Sequence, residues 1–121
     1  MRGIKGEQVL LRIILSESRT HDDVPLHRVI LEMLRAEGLA GATVLKGVAG
    51  YGHDRAVHTV AIEVAALGLP VVVEVVDSPE RIDAALARLD GLMAGGVVTV
   101  ERAQVIRYTH TPPSREAAQG S

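Results

Sequence analysis

Apolar residues alternate along Glu7 to Ser16 (EQVLLRIILS), with Val9, Leu11, Ile13 and Leu15 on one face and Leu10 and Ile14 flanking Arg12 on the other. This spacing predicts a strand that is apolar on both sides. Glu17 to Asp23 is polar and reads as a loop. Pro25 then stands where a helix can begin without needing an N–H donor. Leu26, Val29, Ile30, Met33 and Leu34 repeat at i, i+3, i+4, i+7 and i+8, which predicts an amphipathic helix that Gly38 can end in a left-handed conformation. Ala42 to Gly50 (ATVLKGVAG) reads as a second strand, with Gly47 and Gly50 marking a bend or a close backbone approach.

From Tyr51 to Gly68 the pattern is mixed. YGHDRAVHT is polar, whereas VAIEVAAL fits either a strand arm or a helical turn, so the segment reads as a long excursion. Leu69 to Asp77 carries five valines in six successive positions, interrupted by Glu74, and predicts the strongest strand of the chain. Ser78 can cap the next helix, with Pro79 and Glu80 in its first turn. Its buried stripe is Ile82, Ala85, Leu86, Leu89 and Met93, and Gly95-Gly96 is expected to end it. In the final strand, Val97 to Tyr108, Val98 and Val100 share one parity while Ala103 and Val105 share the other, which predicts a bulge near Glu101-Arg102.

The order of elements, strand, helix, strand, strand, helix, strand, predicts a ferredoxin-like α+β sandwich with a four-stranded antiparallel sheet. Right-handed crossovers put both helices on one face. The domain is expected over 7–108, preceded by an extension over 1–6. Residues 109–121, with the adjacent Pro112 and Pro113 and little to bury, read as a disordered tail. The other sheet face has no cover within the chain. Leaving it in water forfeits on the order of 1.5–3 kcal/mol per large side chain, so a homo-oligomer is expected.

Composition narrows the classes of function. No apolar run approaches the roughly 18 residues of a membrane span, and Met1 to Gly6 lacks a signal-peptide core, which predicts a cytoplasmic protein without direct membrane insertion. The absence of cysteine excludes disulfides, thiolate metal sites and thiol nucleophiles. With a net charge of −2 and only two aromatic residues, Tyr51 and Tyr108, the chain has neither the basic patch nor the stacking platform of a nucleic-acid binder.

The run Gly41 to Gly52, GATVLKGVAGYG, resembles the segment of PII signal proteins that leads from their second strand into the long T-loop. EGLAGATV before it and LPVVVEVVDSPERIDAAL after it extend the likeness over roughly residues 9 to 108. The match is to a bacterial PII-like branch, and the fold is also that of CutA proteins. This resemblance implies a homotrimer that binds an adenine nucleotide or another small effector in clefts between subunits. The mobile loop would then signal to a membrane transporter or an enzyme. By motif, Thr43 would stand near a nucleobase and Gly50, Tyr51 and Gly52 would form the loop base, with His53 beside them; glycines there leave room for backbone N–H groups to approach an anion. PII proteins carry a lysine in a glycine-rich loop before the last strand. This chain has AGGVVTVE instead, with Glu101 near that position, which favours an AMP-like ligand over ATP. Arg102 and Arg107 are the candidate positive contacts.

Two other chemistries find partial footing in the sequence. His53, Asp54 and His58 share donor types with zinc or copper sites, which makes a CutA-like divalent metal-binding trimer the alternative, although a five-residue separation on a loop is a weak pattern. No P-loop, nucleophile elbow or acid-base spacing is present, so no enzyme is expected. Glu74 within its valines reads as a contact at a subunit interface or sheet edge, and Tyr51 equally as a packing residue.

Overall fold

A computed structural model describes residues 4–51, 58–59 and 68–108, with 58, 59 and 108 as backbone only. In chain order the elements are β1 (Ile4–Ser16), the short strands β2 (Thr20–His21) and β3 (Val24–Pro25), α1 (Leu26–Ala36), β4 (Thr43–Lys46), β5 (Ala49–Gly50), β6 (His58–Thr59), β7 (Pro70–Asp77), α2 (Pro79–Asp90) and β8 (Val97–Tyr108). Four of them form an antiparallel sheet in the order β4-β7-β1-β8. This is the expected ferredoxin-like arrangement.

Leu11, Ile13 and Leu15 of β1 and Val71, Val73 and Val75 of β7 are buried on the face that meets Leu26, Ile30, Met33 and Leu34 of α1 and Ile82, Ala85 and Leu89 of α2. The period-2 and period-3.6 patterns therefore meet in one core. Ser78 caps α2, its hydroxyl accepting from the Arg81 N–H at 3.3 Å, with Pro79 at the first helical position. The helix ends at Asp90 with Gly91 as its C-cap, earlier than the Gly95-Gly96 stop expected from the apolar stripe. The N–H groups of Leu92 and Met93 both turn back onto the Leu89 carbonyl, which keeps these two side chains packed on the core after the helix has ended.

The structure departs from the sequence pattern at three more places. Glu17 to Asp23 contains part of a hairpin, because Asp22 and Asp23 both adopt positive φ, 50° and 64°, and so make the tight turn that joins β2 to β3. Ile4, Lys5 and Gly6, expected to precede the domain, belong to β1 and bury Ile4. The register of β8 is regular through Glu101 and Arg102, and its irregularity lies instead between Ile4↔Tyr108 and Gly6↔Val105, where Ile106 and Arg107 stand opposite Lys5. No bulge is needed at Glu101-Arg102 because both faces of β8 are apolar: Val98 and Val100 pair with Ile13 and Leu11 on the helix side, and Ala103 and Val105 with Gln8 and Gly6 on the other. Tail residues 109–121 and the bulk of the 51–68 excursion lie outside the described residues.

Candidate functional site

Alternation along β1 and β7 turns Leu10, Arg12, Ile14, Val72, Glu74 and Val76 away from the helices. The pairing register adds Thr43 opposite Glu74, Leu45 opposite Val72, Val97 opposite Ile14 and Glu101 opposite Leu10. No described element covers this face, and Leu45 and Val97 stay 48% and 53% exposed. Across its centre runs a charged ladder. Arg12 Nε donates to Glu74 Oε2 at 2.7 Å and its Nη1 donates to Glu101 Oε1 at 3.0 Å. The Glu74 hydrogen bond holds the Arg12 pKa above its ordinary value, so the guanidinium stays charged at any working pH. Solvent screens pairs of this kind, so the ladder contributes little to the stability of a lone chain.

Beside the ladder lies an open depression of about 480 Å³. Ile4, Leu10, Val76 and Val105 supply its apolar surface, and Thr43, Glu74 and Arg107 its polar groups. One wall, Ala40 to Thr43, is held by Asp77, a fully buried carboxylate whose Oδ2 accepts the Ala40 N–H at 2.7 Å and whose Oδ1 accepts the Ser78 N–H at 2.7 Å. The last residue of the valine strand thereby fixes the approach to β4.

At the opposite end of β4 the chain bends sharply. The Gly47 N–H donates to the Pro70 carbonyl at 2.7 Å, and a Cβ on Gly47 would lie 2.5 Å from Pro70 Cγ, so the close approach expected at this glycine is real. Ala49 and Gly50 then pair with Thr59 and His58, which makes a two-stranded base for the excursion. Lys46 binds Glu17 at 2.8 Å beside it.

The sequence-predicted residues thus fall into separate places. Thr43 and Arg107, distant in sequence, line the same depression. Gly50 and the exposed Tyr51 stand at the excursion base, away from it. Arg102 joins neither group: it pairs with Val9 on the helix side of the sheet and is 3.7 Å from Glu7. Glu101, which stands near the position of the PII lysine, accepts from Arg12 on the open face. Gly52 and His53 lie outside the described residues, and of His58 only the backbone is described. Among the described residues no group of three potential ligands that could hold a metal is present, and no helix is long and apolar enough to cross a membrane.

Sequence reasoning missed the ladder and Asp77. The first had a signal, since Arg12 and Glu74 are opposite charges that each interrupt an aliphatic run, 9–15 and 71–76. Pairing them required the register.

A four-stranded antiparallel sheet in the order β4-β7-β1-β8 with both helices on one side is the fold that PII-like proteins share. The chain belongs to the DUF190 family, described as Uncharacterized ACR, whose model matches residues 8–105. A UPF0166 protein of Aquifex aeolicus is 36% identical over 106 residues, covering 88% of this chain and 98% of that protein. A UPF0166 protein of Methanocaldococcus jannaschii is 38% identical over 80 residues, 66% of this chain and 73% of its own length. Among solved structures, CPII of Thiomonas intermedia K12, a nitrogen regulatory PII-like protein bound to ADP, AMP and bicarbonate, superposes with a TM-score of 0.63 at 18% identity, covering 82% of this chain and 88% of CPII.

Proposed function

We propose that this protein is a PII-like regulatory sensor, not an enzyme. In this reading three copies assemble through the open sheet face and bind a small effector, an AMP-like adenine nucleotide in preference to ATP, in the clefts between them. Binding reorders the 51–68 excursion and changes its affinity for a partner protein, a membrane transporter or an enzyme. The observation that carries the reading is the depression at the margin of the uncovered face, in which Thr43 can hydrogen-bond a base edge and Arg107 can meet an anion beside apolar surface. A protein of the same fold, CPII, is bound to ADP, AMP and bicarbonate, ligands of this class.

Thermal denaturation with AMP, ADP, ATP and bicarbonate tests the reading. A ligand at 100 times its Kd stabilises the folded state by about 2.7 kcal/mol, a rise in melting temperature that is readily measured. AMP or ADP should produce it, and Arg107→Ala should weaken their binding by about tenfold, the worth of one charge-assisted hydrogen bond. Indifference of the protein to every one of these ligands would remove the sensor reading.

A further inference from the structure

Two carboxylates share one guanidinium at the centre of the open face. Arg12 of β1 donates from Nε to Glu74 of β7 at 2.7 Å and from Nη1 to Glu101 of β8 at 3.0 Å, which leaves the ladder with one surplus negative charge. The surplus falls on Glu101, because its bond to Arg12 is the longer and its side chain is 55% exposed against 29% for Glu74. Its surroundings supply no second cation. On its own strand the residues of the same parity are Thr99 and Ala103, and on β1 they are Leu10, directly opposite, and Arg12. No described element lies along the outer side of β8. Arg107 lines the depression six positions further along β8, about 20 Å away on an extended strand, and Lys46 is bound to Glu17. In a lone chain water screens the surplus. Water is excluded once another surface closes over the face. Leu10, Ile14, Val72 and Val76 flank the ladder, and its charges are already turned toward one another, so a like apolar surface, that of a second copy, fits here better than a charged partner. A carboxylate without a full counter-charge in such a seam favours its neutral form. Protonated, Glu101 still accepts from Arg12 Nη1 through its carbonyl oxygen, so the ladder keeps its geometry.

We infer that closing copies of this chain over the open face draws a proton onto the ladder at Glu101, so that assembly is pH-sensitive and tightens as the medium becomes more acidic. This rests on the trimer proposed above, whose failure would look different. The sign follows from linkage: the carboxyl is ionised in the free chain and neutral in the seam, so assembly takes up protons and its association constant rises as pH falls. One proton per copy raises that constant by up to about tenfold per copy for each pH unit, until the free chain is itself protonated near pH ~4. Sedimentation equilibrium of the full-length protein at pH 8, 7 and 6, at constant ionic strength, measures it. The wild-type association constant should rise by at least about tenfold from pH 8 to pH 6. Glu101→Gln, neutral throughout, should assemble at pH 8 at least as tightly as the wild type and vary by less than about threefold over the range, which separates Glu101 from histidines that titrate there. Arg12→Gln leaves two carboxylates without a cation and should weaken assembly at pH 8 by about tenfold or more, with recovery on acidification. Both side chains are at least a third exposed in the lone chain, so each variant should keep the wild-type circular dichroism. An assembly too tight to dilute apart is read by the exchange of labelled with unlabelled copies, which should slow as pH falls. Assembly that ignores pH in the wild type, or Glu101→Gln that keeps the wild-type pH dependence, refutes the proton uptake while the trimer stands. A wild type that is monomeric at every pH refutes both.

Discussion

Replacing Asp77 by alanine should cost about 2–4 kcal/mol of folding stability. The carboxylate is fully buried and takes two backbone N–H groups, that of Ala40 at 2.7 Å through Oδ2 and that of Ser78 at 2.7 Å through Oδ1. Alanine would strand the buried Ala40 donor and loosen the start of α2 together with the segment that walls the depression. Asparagine keeps one acceptor oxygen and should recover a substantial part of the loss. Urea denaturation of the three proteins decides the matter. A deficit of less than about 1 kcal/mol for Asp77→Ala would mean that water reaches the Ala40 amide once the carboxylate is gone. If the aspartate positions the wall as well as stabilising the fold, Asp77→Asn should also weaken binding of any ligand held by Thr43, under conditions where the variant is fully folded.

What could be read in advance from this chain was whatever depends on local spacing. The alternation of Val9, Leu11, Ile13 and Leu15 picked out the helix-facing side of β1, and the helical stripes of α1 and α2 gave most of the core that covers it. Gly47 stood out because a glycine inside a strand pattern has few other reasons to be there, and Pro70 is that reason. The hairpin at Thr20–Pro25 escaped because Asp22-Asp23 lacks the glycine that usually announces a turn with positive φ.

The site was less legible, because its residues are brought together by register. Thr43 and Arg107 come to line one depression only once β4 and β8 take their places on either side of β7 and β1. Arg102 stands apart from Arg107 because one step along a strand changes the face, and its pairing opposite Val9 puts it on the helix side.

Ile14→Glu should dissociate the proposed trimer into folded monomers. Ile14 lies on the open face between Val72 and Val97, half-buried in the single chain. A glutamate there can still reach water from a lone subunit, so the monomer should lose no more than about 1 kcal/mol. In the assembly the balance changes. Leu10, Ile14, Leu45, Val72, Val76 and Val97 are partly covered already, and burying the remainder contributes on the order of 1 kcal/mol each. Sinking one unpaired carboxylate per copy into the same seam costs several kcal/mol. The Arg12 guanidinium cannot neutralise it without releasing Glu74 or Glu101, which would then be the buried unpaired charge. A single substitution per copy is thus enough to offset the apolar gain. Ala84→Glu on the exposed side of α2 adds the same charge outside the seam and should leave the assembly intact. Light scattering coupled to gel filtration reads all three proteins directly. If Ile14→Glu elutes at the wild-type mass, the subunits meet elsewhere, and if the wild type is itself monomeric at high concentration, no seam exists for an effector to occupy.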